Sequence, residues 1–353
     1  MRRCEFARLA PSGAAPPLKL FACADSAAEN PELCYEAIRL LELLAQEPSL
    51  HRALVREGSL PPLTNAAAGL SPQTRSFAAR ALVHLATTGN EKAAVIHRHL
   101  VDAGSYAAIA KQVADSHPDV AAHAAKSVGD VLRHGGAAAE KLLELGAVAG
   151  LQQLIAPASD GAVHSGTAAA VGALSALGKQ LADALGKEGC QQLCVAATEL
   201  LSEPSPASKL SATAALAELA QVQSLEDIVT ENRESRALCL CELLGSEDGR
   251  VRASAARCIG NLALHQEYAQ VFGRRETAGP LLHALAPHED LATRQEASRA
   301  ISNLAASRTN DQSESPHGPP SAHACACLRS SMPIDAHARR RPQGVRGDLA
   351  ARW

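Results

Sequence analysis

The apolar residues between Arg250 and Ala263, in the sequence RVRASAARCIGNLA, follow the pattern of one amphipathic helix. They recur at the spacing that places side chains on a single helix face, at Val251, Ala255, Ile259 and Leu262. The same pattern returns in Arg294–Ala305 and, more loosely, in Arg75–Ala86. A helical pattern that recurs along a chain predicts a helical-repeat architecture.

The apolar residues near the ends of these helices form a regular series. Its members are Leu44, Leu85, Val131, Leu174, Leu219, Leu262 and Leu304. Successive members lie 41, 46, 43, 45, 43 and 42 residues apart. This spacing is that of armadillo and HEAT repeats, whose period is about 40–47 residues.

A glycine follows each of the first four members of this series. These glycines are Gly58, Gly104, Gly146 and Gly189, and five residues after each comes an apolar residue or Cys, at Leu63, Ile109, Leu151 and Cys194. Because glycine readily adopts the backbone needed where one helix folds back on the next, each is predicted to mark a helix–helix turn. In the fifth and sixth units the same position holds Arg233 and Glu276.

The stretches LVREGSLPPL, LLELGAVAGL and AARCIGNLA resemble armadillo repeats. In that family a short first helix ends at a glycine, a second helix follows, and a longer third helix ends in a motif like Asn-Leu-Ala. The resemblance covers residues 31–308 and implies an all-α, right-handed armadillo/HEAT-like α-solenoid of about seven units. The first unit is expected to lack its short first helix, and the last to keep only its third. The stretch HPDVAAHAAKSV is closer to a HEAT repeat, so the choice between the two types stays open.

Composition agrees with closely packed helices. The chain is 46% hydrophobic but only 2% aromatic, and Ala and Leu, which favour helices, dominate. Runs of β-branched residues bounded by turn signals are scarce, so no sheet is predicted.

Both ends of the chain depart from the repeat pattern. Residues 1–30 are predicted to be a disordered leader or a targeting segment, and Asn30-Pro31 is predicted to begin the first helix. Residues 309–353 contain several prolines and the basic run Arg339–Arg341, and they are predicted to be a disordered tail. An error in gene prediction is the alternative explanation for that tail.

Three features bear on the cellular context. The scattered Cys residues are expected to be reduced, buried thiols, which indicates a cytoplasmic protein. A mitochondrial or plastid location is the alternative, because Arg2, Arg3, Arg8 and Lys19 give the N-terminus the charge of a presequence. The net charge of -3 argues against a general nucleic-acid binder, and no apolar run approaches the ~20 residues needed to span a membrane.

The resemblance also implies where a partner binds. In armadillo proteins the third helices line the concave face, and two positions four residues apart point into the groove: an Asn that clamps a peptide main chain and an earlier residue that is often Trp. By position, the Asn sites here are Leu43, His84, Asp130, Ala173, Glu218, Asn261 and Asn303. The earlier sites are Arg39, Arg80, Lys126, Ala169, Ala214, Arg257 and Arg299.

Five of the seven earlier sites are basic and none is Trp, which weighs against an importin-α-like receptor for basic signals. Residues 31–308 carry 24 Lys plus Arg against 30 Asp plus Glu, a net charge of 24 − 30 = −6. A row of basic residues at the earlier sites of an otherwise acidic repeat domain predicts an extended, acidic protein partner. The predicted contact residues are Arg257, Asn261, Arg299, Asn303, Arg80, His84, Lys126 and Arg39. The alternative is that these basic residues merely solvate the face or pair with a nearby Glu.

Enzymatic and metal sites find little support in the sequence. The spacings Cys190-x3-Cys194 and Cys239-x-Cys241 lack the second pair or His that a zinc site requires. No phosphate-binding loop or nucleophile elbow is present, so no catalytic residue, metal or cofactor is predicted. The function expected is a non-catalytic scaffold or adaptor. A regulatory repeat arm of a larger enzyme is the alternative, and the oligomeric state is left open.

Overall fold

The computed structural model describes residues 30–69, 71–87, 93–156, 166–222, 227, 229, 231–273 and 275–314. The predicted leader before Asn30 and the predicted tail after Glu314 lie outside the described residues. Two units are distinguished, Met1–Ser307 and Arg308–Trp353, and the first contains the repeats.

The described part of the chain is built from α-helices and short 3-10 turns, without a strand. The first nine helices are α1 (Pro31–Ala45), α2 (His51–Arg56), α3 (Leu60–Ala67), α4 (Pro72–Ala86), α5 (Ala93–Asp102), α6 (Ser105–Gln112), α7 (Pro118–His134), α8 (Gly136–Glu144) and α9 (Ala147–Ile155). The others are α10 (Thr167–Ser175), α11 (Leu181–Leu201), α12 (Pro206–Leu219), α13 (Arg233–Leu243), α14 (Gly249–Leu262), α15 (Gln266–Phe272), α16 (Arg275–His283) and α17 (Leu291–Glu314).

These helices form the predicted α-solenoid. The third helices of the seven units are α1, α4, α7, α10, α12, α14 and α17, and successive third helices pack side by side. The second helices are α3, α6, α9, the later part of α11, α13 and α16. The seven third helices confirm the predicted register, but the last unit is more complete than predicted, because α15 and α16 precede α17.

The first helix begins where the sequence indicates. The side chain of Asn30 accepts a hydrogen bond from the backbone N–H of Leu33 at 3.0 Å, and Pro31 occupies the first turn. An Asn cap satisfies an N–H group that has no partner within the helix, and Pro at this point loses no hydrogen bond. At the other end, α17 continues to Glu314, so residues 309–314 of the predicted tail are helical.

The buried face of each third helix matches the apolar pattern. In α14 the four residues Val251, Ala255, Ile259 and Leu262 are fully buried, as predicted. The first unit is an exception, because Leu44 is only partly buried and Ala45 takes the buried position at the end of α1.

Third helices approach each other closely where small residues meet. A Cβ added to Gly129 would lie 2.9 Å from the Cα of Ala173, and one added to Gly260 would lie 3.2 Å from the Cα of Ala300. Since the neighbouring atom is backbone in both cases, a side chain at Gly129 would push the two helices apart, and one at Gly260 would require them to shift by a few tenths of an ångström.

Left-handed residues make the turns between first and second helices. Gly58, Gly104 and Gly146 have φ values of 90°, 68° and 77°, which confirms the prediction for the first three glycines. The prediction for Gly189 is wrong, because Gly189 lies inside α11 and the turn is made three residues earlier by Gly186, with φ 65°. In the next unit the turn is made by Asn232, with φ 55°, immediately before Arg233.

Candidate partner-binding face

The third-helix face comprises the predicted site residues on the third helices α1, α4, α7, α10, α12, α14 and α17. Some of its basic side chains are held by contacts with the third helix of the preceding unit. This arrangement is repeated at three junctions, through Arg80, Arg257 and Arg299.

At the first of these junctions Arg80 of α4 reaches Glu42 of α1. Its Nε and Nη2 atoms donate to Glu42 Oε1 at 3.2 and 2.8 Å. The guanidinium also lies 4.7 Å from the centre of the Phe77 ring, close enough for a cation–π interaction. His84, one turn further along α4, has its Nε2 atom 3.8 Å from the same carboxylate oxygen. Glu42, which lies 38 residues before Arg80 in the sequence, was not among the predicted site residues.

The junctions around α14 follow the same plan. Arg257 donates from Nη2 to Glu218 of α12. Arg299 donates from Nη1 to Asn261 Oδ1 at 3.0 Å, from Nη2 to the Arg257 carbonyl at 3.3 Å, and from Nε to Glu296 at 2.9 Å. These guanidinium groups are therefore fixed in position across the unit boundaries.

The two Asn residues of the Asn-Leu-Ala motifs are engaged inside the solenoid. Asn261 is 4% exposed, and its Nδ2 atom donates to the Ala217 carbonyl at 2.8 Å. Asn303 donates in the same way to the Gly260 carbonyl at 2.7 Å. The Asn261 amide thus joins its own third helix to the two neighbouring ones, and its contact with a partner stays a prediction.

The remaining predicted residues differ in their surroundings. Lys126 is exposed and makes no hydrogen bond or ion pair within the described residues. Arg39 pairs with Glu36 on its own helix at 3.2 Å. Asp130 pairs with Arg133 at 2.6 Å, also on its own helix. The corresponding positions with small or apolar residues are Leu43, which is half exposed, and Ala169, Ala173 and Ala214.

On this face the negative charges are less exposed to solvent than the positive charges that pair with them. The side chain of Glu42 is 2% exposed beneath Arg80, which is 34% exposed, and Glu218 is 18% exposed beneath Arg257, which is 43% exposed. The carboxylates therefore lie under the guanidinium groups. A guanidinium has five N–H donors, and two or fewer atoms of Arg80 and Arg257 are used in these contacts, so donors remain for a further acceptor.

In the part of the chain that the structure describes, no group of three or more His, Cys, Asp or Glu side chains is arranged to hold a metal ion. No described helix is both long and apolar enough to cross a membrane. Of the described cysteines, Cys34, Cys190, Cys194, Cys241 and Cys258 are buried and Cys239 is partly exposed. Burial raises the pKa of the Cys258 thiol to about 12, which keeps it protonated at neutral pH.

Comparisons with known proteins agree with this architecture. The HEAT repeat family matches residues 239–266, which include all of α14. No curated protein matches the chain in sequence. An engineered protein solved by the Northeast Structural Genomics Consortium is similar in fold, with a TM-score of 0.62 and 23% identity over 83% of this chain and 69% of that chain.

Two designed armadillo repeat proteins are also similar in fold. One, solved in complex with the peptide (KR)4, gives a TM-score of 0.52 at 21% identity and covers 69% of this chain and 99% of the design. The other, computationally designed for modular peptide recognition, gives a TM-score of 0.51 at 20% identity and covers 69% and 98%. The period, the order of the helices and these similarities show that the chain has an armadillo/HEAT-like α-solenoid fold.

Proposed function

We propose that the chain is a non-catalytic scaffold that holds an extended, acidic segment of a partner protein along the third-helix face. The single observation that carries the proposal is the layering of charge at Arg80 and Arg257, where guanidinium groups cover the carboxylates that orient them. A partner approaching this face meets N–H donors first. Carboxylates are the acceptors that guanidinium groups bind most strongly in protein interfaces.

The fixed positions of these side chains favour binding. An arginine on a free surface loses rotamer freedom when it captures a ligand, whereas Arg257 and Arg299 are already held by Glu218 and Asn261. The same contacts reduce the net positive charge, so specificity is expected to come from hydrogen-bond geometry together with the less compensated charge of Lys126.

The test uses fluorescent peptides and the full chain. A peptide of alternating Asp and Glu is expected to bind, with affinity that falls as salt is raised, and (KR)4 is expected to bind more weakly. The double variant Arg257→Gln/Arg299→Gln is expected to weaken binding of the acidic peptide about tenfold or more. Gln is preferred to Glu because a Glu at 257 would face Glu218 and disturb the unit boundary.

The matched control is Arg250→Gln, since Arg250 is an exposed arginine of the same helix that pairs locally with Asp248 at 2.7 Å. It is expected to leave peptide affinity unchanged. Tighter binding of (KR)4 than of the acidic peptide, or equal loss of affinity in the control, would show that the assignment of an acidic partner is wrong.

A further inference from the structure

A second surface lies on the second helices of the last three units. In each second helix, one buried core residue is followed directly by a residue at the surface. In α11, α13 and α16 the buried residues are Cys194, Ala237 and Leu281, and the residues that follow them are Val195, Leu238 and Leu282. The side chains of this apolar stripe are 51%, 54% and 37% exposed.

The stripe is confined to this half of the solenoid. The hydrogen bond between Arg236 and Thr198 repeats the contact between Ser105 and Thr64 in the earlier units, and it fixes which positions correspond. Val195 and Leu238 therefore correspond to Pro61, Ala107 and Ala149 of the earlier second helices, which are exposed but smaller. The larger aliphatic residues are a local feature of the later units, and exposed apolar residues on neighbouring helices mark interaction sites.

Acidic side chains border the stripe on both sides. Glu188 stands seven residues before Val195, and Glu199 and Glu242 stand four residues after Val195 and Leu238, so these three lie on the same helix faces as the stripe. Glu231 is exposed in the turn just before α13, next to the left-handed Asn232. None of these four carboxylates forms an ion pair with another described residue. The basic residues at the start of these helices are Lys187, which is exposed, and Arg233, which pairs with Glu267 at 3.2 Å.

The spacing of the stripe fits a helix laid across the second helices. Packed helices lie about 8–10 Å apart, and residues seven apart on an α-helix are separated by about 10.5 Å along its axis. Residues on one face of an extended strand repeat at about 6.7 Å, which matches less well. The glutamates before the stripe lie about 10 Å from it along the chain, and those after it lie about 6 Å from it. This separation leaves room between the two sets of glutamates for one helix about 10 Å wide.

We propose that Val195, Leu238 and Leu282 form a docking surface for an amphipathic α-helix of another protein, with apolar residues seven apart and Lys or Arg on both flanks. The apolar residues contact the stripe, and the basic flanks face Glu188 and Glu231 on one side and Glu199 and Glu242 on the other. This surface is separate from the third-helix face and does not depend on the function proposed there.

The test measures binding of a synthetic peptide of about 18 residues, made of Leu, Lys and Ala with the leucines on one helical face, to the full chain by fluorescence anisotropy. Saturable binding is expected, and the variant Leu238→Glu is expected to raise the dissociation constant about tenfold or more. The control Leu264→Glu changes an equally exposed leucine outside the stripe, 59% exposed, and is expected to have no effect.

Three outcomes would overturn the proposal. One is equal binding of a peptide with the same composition whose leucines are scattered around the helix. Another is equal loss of affinity in Leu238→Glu and Leu264→Glu, with unchanged helical circular dichroism in both. The third is a wild-type dimer that Leu238→Glu converts to a monomer in light scattering, since a second copy of the chain would then be the occupant.

Discussion

The side-chain amide of Asn261 connects three third helices, because its Nδ2 atom donates to the Ala217 carbonyl at 2.8 Å and its Oδ1 atom accepts from Arg299 Nη1 at 3.0 Å. Both polar atoms of a residue expected to hold a partner are thus used within the solenoid. The arrangement explains why Asn261 can be 4% exposed without an unpaired polar group.

We therefore expect Asn261→Ala to destabilise the protein. The substitution leaves a guanidinium donor of Arg299 without its partner and removes one of two donors to the buried Ala217 carbonyl, which keeps only a hydrogen bond from Gln221 at 3.3 Å. The expected cost is about 1–3 kcal/mol in the free energy of unfolding. Urea denaturation followed by circular dichroism measures the difference. The control is Asn65→Ala, because Asn65 is exposed on α3, and a change there within about 0.5 kcal/mol is expected. Equal effects of the two substitutions would mean that the amide of Asn261 has no structural role.

A second junction is stabilised by an ion pair that is largely shielded from water. Arg75 donates from Nε and Nη2 to the two carboxylate oxygens of Asp115 at 2.8 and 2.7 Å. Burial alone raises the pKa of Asp115. Hydrogen bonds from Arg75 and the backbone N–H of His117, together with the charge of Arg75, outweigh burial and hold the pKa below its ordinary value of 3.8.

The lowered pKa of Asp115 sets the sign of an acid dependence. The stabilising effect is complete above pH 3.8, where the unfolded chain is also ionised, and it is lost as pH falls through the lower pKa of the folded state. Asp115→Asn is expected to lower the free energy of unfolding by about 1–3 kcal/mol at pH 7. The difference from wild type should shrink below about pH 4, and chemical denaturation at several pH values measures it.

The control for this prediction is Asp130→Asn, because Asp130 forms an exposed ion pair with Arg133, whose side chain is 51% exposed. Exposed pairs contribute about 0–1 kcal/mol, so little change is expected. A difference between Asp115→Asn and wild type that stays constant down to pH 2 would contradict the assignment.

His51 is expected to make the stability of the protein depend on pH in a higher range than Asp115 does. Burial lowers the pKa of His51 below its ordinary value of 6.5, with a further contribution from His84, while the Ala45 carbonyl and Glu47 act against the shift. The His51 Nε2 atom lies 2.6 Å from the Ala45 carbonyl and donates to it in the neutral form.

Because the unfolded chain takes up a proton at His51 before the folded chain does, stability is expected to fall as pH drops below 6.5. The variant His51→Gln retains a donor but cannot titrate, so its thermal midpoint should change less between pH 7 and pH 5. His123→Gln is the control, since His123 is exposed on α7. A pH profile of His51→Gln that parallels wild type would contradict the prediction.

Substitutions at two left-handed turn residues, Gly146 and Asn232, are expected to change stability in opposite directions. A Cβ on Gly146 would meet no atom within 4 Å, so Gly146→Ala tests the backbone alone and is expected to cost about 1–2 kcal/mol at φ 77°. Asn232→Gly removes the same penalty at φ 55° and is expected to stabilise the protein by up to about 1 kcal/mol. Thermal denaturation measures both effects.

The control is Gly279→Ala, because Gly279 has equal space around it but lies inside α16. There Ala is the better helix former, but the ring of the following Pro280 crowds an added Cβ, so a change within about 0.5 kcal/mol is expected. Equal destabilisation by the two substitutions, or a gain from Gly146→Ala, would show that the left-handed backbone does not control Gly146.

Much of the fold could be predicted from local sequence, since a helix face and a period of about 43 residues are one-dimensional patterns. The exceptions have local causes. Gly189 stands at the expected spacing, but Gly186 is three residues nearer the start of the same segment and makes the turn instead. Two glycines this close give the same signal in a repeat alignment, and only the backbone distinguishes them.

The contacts within the candidate site were harder to predict from the sequence than the fold. Helical spacing placed the predicted site residues on the third helices, but the side chains and carbonyls that these residues contact lie 38 to 44 residues away, as Arg80 and Glu42 or Asn261 and Ala217 show. Spacing along one helix reveals contacts three or four residues apart and says nothing about which preceding side chain a long arginine reaches.

The sequence by itself determined the class of fold, the number and order of the third helices, and their buried faces, because burial of an amphipathic helix follows directly from apolar periodicity. The tertiary structure decided that Asn261 joins neighbouring units and that carboxylates lie beneath the arginines. It also placed the exposed Val195, Leu238 and Leu282 on successive, contacting second helices. These relationships depend on how far the units are rotated and how closely they stack, since residues about 40 positions apart become neighbours only when the solenoid is formed.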